Sequence, residues 1–95
     1  MNELVYLKNE QALTDSLTVA EIFGKRHDHV LVMIENKQLP QLFHKTRYKD
    51  ATGKWNPKYL MNKDGFVFLI MGFTGKNALE WKLKYIGAFN QREAE

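Results

Sequence analysis

The stretch DSLTVAEIFGKRHDHVLVMIENKQ, residues 15–38, decides how the rest of the chain is read. From Leu17 to Phe23 the apolar residues Val19, Ala20 and Phe23 recur at helical spacing. Asp15, Ser16 and Thr18 compete as the N-cap, and Thr18 with Glu21 matches the reciprocal capping box. Gly24 then ends the segment, since glycine takes up the positive φ of a helix C-terminus without steric cost. Residues 27–38 place Val30, Met33, Ile34 and Lys37 on one stripe, contain neither Gly nor Pro, and stop ahead of Pro40. Two short helices joined by a turn that opens on Gly have the layout of a helix-turn-helix. The packing offsets fit as well: Ala20 is small where the second helix crosses, Gly24 turns the chain, and Val30 packs back between the helices. Val19, Phe23 and Met33 are apolar at the supporting positions.

Before this unit, residues 4–8 and 11–14 are short, apolar and strand-forming, and Asn9-Glu10 between them predicts an opening hairpin. After it, LFHKTRYKD and WNPKYLMN flank the turn-rich run Asp50-Ala-Thr-Gly53-Lys54, so a second hairpin is expected, with Pro57 at an edge or a strand start. Behind Asp64, a candidate N-cap, GFVFLIMGF is apolar almost all round, which fits a buried helix or a buried strand alike. Thr74 is placed to cap a last helix, 76–92, whose apolar face comprises Ala78, Trp81, Leu83, Tyr85, Ile86 and Phe89. With residues 65–73 taken as helix, the chain is an α+β fold of order β-β-α-α-β-β-α-α, a small winged helix-turn-helix-like domain spanning residues 1–95.

Ninety-five residues without a linker-like or low-complexity tract are expected to form one domain. The absence of cysteine excludes disulfides, thiolate metal sites and cysteine nucleophiles, and suits a reducing cytoplasm. The first residues carry acids and lack the apolar run of a signal sequence, and no window approaches a membrane span, so a cytoplasmic protein without a membrane partner is expected. The net charge of +3 is unevenly spread: residues 1–23 hold one base against four acids, whereas residues 42–64 hold six bases against two acids. Such local asymmetry is expected of a surface that faces phosphate, although a solvated face shows it too.

These elements together point to double-stranded DNA. At the start of the second helix, Lys25, Arg26, His27, Asp28 and His29 are candidates for the major groove, with Leu31, Val32 and Glu35 further along the outward face. Lys45, Arg47, Lys49, Lys54 and Lys58 on the second hairpin are candidates for a wing that grips phosphate and fixes register without reading sequence. Trp55, near the hairpin tip, is the aromatic residue most exposed to a partner, whereas Tyr59, Phe66, Phe68, Trp81, Tyr85 and Phe89 are assigned to the core. The competing reading is a protein-interaction module, antirepressor-like, which Leu31 and Val32 on the outward face would favour. A homodimer suits both readings, because a lone domain makes few phosphate contacts.

The blocks TDSLTVAEIFGKRHDHVL, Tyr48 and Asp50-Ala-Thr-Gly53 with Pro57-Lys-Tyr59, MNKDGFVFLIMGFTGKNA and the closing YIGAFN cover nearly the whole chain. In this order they resemble the phage regulatory proteins of the Rha type, which are similar in layout to KilA-N-like DNA-binding domains. The resemblance implies a phage- or prophage-encoded regulator that binds DNA and influences lytic growth, in a setting linked to the host's integration host factor. Host or phage regulatory proteins are therefore implied partners, and relatives often carry a second, C-terminal domain that this chain is expected to lack. Where relatives show a basic and an acidic residue after the HDHVL-like run, this chain has Val32-Met33, which removes a cation from the reading helix and shifts binding toward the hairpin.

Other chemistries find little support. Gly72-Phe-Thr-Gly75-Lys76-Asn77 has two residues between its glycines instead of the four of a phosphate loop, and Asn stands where Ser or Thr would hold Mg²⁺. His27 and His29 are two apart on a helix, so they diverge instead of sharing a metal, and no cofactor is expected. The carboxylates Asp15, Asp28, Glu35, Asp50 and Asp64 have cap or turn explanations, and no nucleophile-base pair follows from spacing, so the chain is not expected to be an enzyme.

Overall fold

The computed structural model describes residues 4–94, folded as β1 (Tyr6–Lys8), β2 (Gln11–Asp15), α1 (Ser16–Ile22), α2 (His27–Lys37), β3 (Phe43–Lys49), β4 (Trp55–Met61), α3 (Lys63–Ile70) and α4 (Lys76–Glu93). The strands make one antiparallel sheet in the order β1-β2-β4-β3. The opening hairpin turns on two residues of positive φ, Asn9 at 52° and Glu10 at 67°, which matches strand twist but suits Asn better than Glu. Strand β2 runs without a loop into α1, and Asp15 at the junction accepts a 2.8 Å hydrogen bond from the Thr18 amide. Asp15 is thus the N-cap, and the Thr18 capping box expected from sequence does not form, because the helix starts at Ser16.

The end of α1 follows from Gly24. Its φ of +66° allows the Lys25 amide to reach the Ala20 carbonyl at 2.8 Å and its own amide to reach that of Glu21 at 3.3 Å, the paired bonds of a Schellman ending. The turn returns the chain so that Val30 and Ile34 of α2 are buried in one core with Val19 and Ala20 of α1. Gln38, at a φ of 53°, closes α2 before Pro40.

The apolar run 65–73 is helical up to Ile70, and it begins earlier than expected: Asn62, not Asp64, caps α3 by accepting from the Gly65 amide at 3.0 Å. Gly65 is there for closeness. A Cβ on it would lie 2.7 Å from the Leu42 carbonyl oxygen and 3.0 Å from Met61 Cβ, so α3 presses directly on the base of the β3–β4 hairpin. Thr74 does not cap α4; Gly75, at a φ of 104°, occupies the N-cap position without a side-chain bond. Leu83, assigned to the apolar face of α4, is 64% exposed, and the buried face is carried by Tyr85 and Phe89, with Trp81 and Ile86 half-buried.

The core is aromatic. Phe66 lies 4.3 Å from Tyr85 and 5.7 Å from Phe89 between ring centroids, and Phe23 from the turn after α1 meets Phe73 edge-on at 5.1 Å. The buried Tyr85 hydroxyl is paired with Thr14 Oγ1 at 3.2 Å, and burial raises its pKa above the usual tyrosine value. No helix among the described residues is long and apolar enough to cross a membrane.

Candidate nucleic-acid interface

The β3–β4 hairpin is an uninterrupted ladder of seven facing pairs, from Phe43 opposite Met61 to Lys49 opposite Trp55. Strand β2 reaches only Leu60 and Met61 of β4, so the outer half of the hairpin projects past the sheet. This explains Pro57. Strand β4 is internal in the sheet order, but Pro57 lies beyond the end of β2, where no neighbour on that side needs its missing N–H.

The tip is held by one carboxylate. Asp50 accepts from the Thr52 hydroxyl at 2.6 Å, the Thr52 amide at 2.9 Å and the Lys54 amide at 3.0 Å through one oxygen, and from Asn56 Nδ2 at 2.7 Å through the other. These donors, the Thr52 hydroxyl foremost and the Lys54 amide next, hold Asp50 at a pKa of about 2. Gly53, at a φ of 86°, lets the chain reverse. The result is a tight tip whose own acid is fully engaged in hydrogen bonds within the turn.

Alternation along the ladder sorts the basic residues into two groups. Lys45, Arg47 and Lys49 stand on one face of β3, exposed, opposite Tyr59, Pro57 and Trp55. Among the described residues none of the three, nor Lys54 at the tip, has an acidic partner. Lys58 stands on the other face, with only 22% of its side chain exposed, 3.7 Å from the buried carboxylate of Asp15. It was expected beside the other cations of the hairpin; the pleat turns it inward to balance an acid that also accepts from Tyr6.

The start of α2 divides in the same way. Lys25, Arg26 and His29 are exposed, and Arg26 pairs with Asp28 at 2.9 Å on the surface. His27, expected to face outward, is turned in: its Nε2 lies 2.9 Å from Ser16 Oγ, and its ring meets that of Tyr48 at 6.0 Å. Burial lowers its pKa below the ordinary histidine value, aided by Lys58 and opposed by Asp15 and Asp28. Ser16 Oγ also accepts the Tyr59 amide at 2.9 Å, so one hydroxyl ties together the starts of both helices and the middle of β4. Tyr59 in turn donates to Glu35 of α2 at 3.3 Å. The helix pair and the hairpin are therefore fixed relative to each other by Ser16, His27, Tyr48 and Tyr59. Their contacts were not legible from periodicity, but counting pairs outward from Asp50–Lys54 would have set Trp55 and Pro57 on the same face as Lys49 and Arg47.

Further along α2, Leu31 is half-buried and Val32 is 52% exposed. Beyond its C-terminal half lies an apolar cleft of about 420 Å³, lined by Ile34, Leu39, Pro40, Phe43 and Tyr59, with Lys45 at its margin.

Comparison with known proteins gives the setting. The sequence pattern of the phage regulatory protein Rha family matches residues 14–94. An uncharacterised protein of Haemophilus influenzae is 34% identical over 85% of this chain and 51% of its own length. A 22.8 kDa protein of Salmonella phage P22, from the gp15-gp3 intergenic region and also uncharacterised, is 36% identical over 98% of this chain and 50% of its own length. A Bacillus subtilis protein named "SPbeta prophage-derived putative antirepressor protein YoqD" is 30% identical over 90% of this chain and 38% of its own length. The chain thus spans about half, or less, of the relatives it matches. No solved structure matches it.

Proposed function

Since the chain belongs to the phage regulatory protein Rha family, we propose that it is a phage or prophage regulator, not an enzyme, that binds double-stranded DNA through the helix pair α1–α2 and the β3–β4 hairpin. The observation that carries this reading is the row Lys45, Arg47 and Lys49, without an acidic partner among the described residues, on one face of a hairpin whose tip is locked by Asp50. Residues two apart on a strand are about 7 Å apart, so the row presents three cations along one line to a phosphate backbone. Lys25, Arg26 and His29 at the exposed start of α2 lie on the element that the hairpin braces through His27 and Tyr48, so both would meet one duplex together. Phosphate contacts supply affinity and orientation, whereas base reading falls to Arg26 and His29. Lys58 is left out of the contact set by its pairing with Asp15. A homodimer would double the phosphate contacts.

The test is binding to mixed-sequence duplex DNA, followed by fluorescence anisotropy at several salt concentrations, for the wild type and for Lys45, Arg47 and Lys49 jointly changed to Ala. If each cation meets one phosphate, the triple variant flattens the log-log salt slope by roughly 2.7. Its thermal stability should stay within about 0.5 kcal/mol of wild type, as for surface changes generally. No binding by the wild type even at low salt would sink the proposal.

A second reading has its own observation. Val32 is exposed in the middle of the outward face of α2, and an apolar cleft beside Phe43 and Tyr59 opens at the C-terminal half of the same helix, which suits a protein partner of the antirepressor kind. Under that reading the chain binds another regulator in place of DNA, and Val32→Lys abolishes capture of that partner. If the DNA reading holds, Val32→Lys strengthens binding, because it adds a cation beside the major-groove residues.

A further inference from the structure

Trp55 is 57% exposed although it sits in a ladder of paired residues, and it takes no part in the aromatic core. Two cations of the facing strand lie over its ring, with the Arg47 guanidinium carbon 5.7 Å and Lys49 Nζ 5.9 Å from the ring centroid. Pro57, beside it on the same face and opposite Arg47, lengthens the flat apolar strip. Together with Lys45, Thr46 and Asn56 these residues line an open groove of about 650 Å³ along the outer hairpin. The Asp50 bonds keep the strands in register up to Lys49 and Trp55, so the ring is offered on a rigid support.

We propose that Trp55 is a stacking platform for an unpaired nucleobase, with Arg47 and Lys49 taking the flanking phosphates; this deepens the DNA-binding reading above and rests on it. A flat, exposed ring with two positive charges at hand fits a ligand that is itself a flat ring joined to negative charge. An unpaired nucleotide in a DNA strand is such a ligand, and base-on-aromatic stacking is tolerant of sequence. A cationic ligand is disfavoured, because it would meet the like charges of Arg47 and Lys49. Within a fully paired duplex the base faces are covered, so the ring reaches them only where a step is unstacked at a cost of a few kcal/mol. The hairpin tip therefore favours DNA that is melted, mismatched or easily unstacked over a uniformly paired helix.

The test uses two probes of one sequence, a fully paired duplex and the same duplex with a central bubble of unpaired bases, read by fluorescence anisotropy at low salt. Wild type binds the bubble more tightly. Trp55→Ala loses roughly five- to hundredfold on the bubble, the range found for removing a stacking aromatic, and no more than about twofold on the paired duplex. Trp55→Phe, which keeps a ring, recovers part of the loss and controls for any local loosening of the hairpin. Equal binding of both probes by wild type, or Trp55→Ala losing equally on both or on neither, overturns the stacking assignment and leaves phosphate binding by the hairpin standing. Failure of wild type to bind either probe overturns both proposals.

Discussion

The molecule has two aromatic assemblies, one under α3 and α4 and one on the β3–β4 hairpin. Phe23, Phe66, Phe73, Tyr85 and Phe89 pack on one another at ring distances of 4.3 to 6.4 Å, and their one hydroxyl is satisfied by Thr14. Trp55 is held by Arg47 and Lys49, while Tyr48 and Tyr59 reach polar groups of α2. The residue types are alike, and their surroundings separate them. Helices α3 and α4 cover the first set. In the second, Tyr48 and Tyr59 are half-covered by α2, whereas Trp55 lies where the strands extend past the end of β2, so nothing in the fold covers it and cations stand beside it instead. Stability belongs to the first assembly and the proposed binding to the second.

The largest expected effect is at the point where α3 touches the hairpin base. Gly65→Ala forces its Cβ against the Leu42 carbonyl, a backbone atom that cannot swing away, and should cost about 3 kcal/mol. Urea unfolding monitored by circular dichroism would reveal it. A loss below about 1 kcal/mol would mean that the packing of α3 on the hairpin gives way easily, and the rigid support claimed for the site would go with it.

An intermediate effect is expected at the seam between the two regions. Burial lowers the pKa of His27 in the folded state, so its neutral form contributes stability that is fully present above the ordinary histidine value near 6.5. That contribution is lost as pH falls from there through the folded value, because the unfolded chain then binds the proton more readily. Thermal melts between pH 7.5 and 5 should fall for wild type, and His27→Gln, which removes the titrating group, should flatten that part of the curve. An unchanged curve in the variant would show that His27 does not titrate in this window.

The smallest effect lies far from the site. Glu10 pays the left-handed penalty in the β1–β2 turn, so Glu10→Gly should raise stability by up to about 1 kcal/mol. DNA affinity of the same variant should not move. A change in affinity would mean that the opening hairpin communicates with the β3–β4 hairpin.

Much of this organisation was legible in residues alone. Periodicity placed the α1–α2 pair, and Gly24 marked its turn, because only local backbone preference is involved. Asn9-Glu10 and Asp50–Lys54 marked both hairpins for the same reason. The caps were less legible: Asp15 is the one of three named candidates that caps α1, whereas Asp64 and Thr74 are competent but Asn62 and Gly75 hold the positions, because tertiary packing chooses where each helix begins. Residues 65–73 carry no period that separates helix from strand; the structure makes them helical up to Ile70, packed against α4. Leu83 falls within the apolar pattern of α4 but points away from the body.

For the candidate site, the sequence by itself determined that a basic, turn-closed hairpin follows a helix pair, since charge and turn chemistry are properties of neighbouring residues. Which cations are free was decided only by the tertiary structure. Lys45, Arg47 and Lys49 differ from Lys58 by the parity of the pleat and by a carboxylate 43 positions earlier, and His27 differs from His29 by the hydroxyl of Ser16. Such pairings depend on which distant elements meet, and local preference carries no record of that.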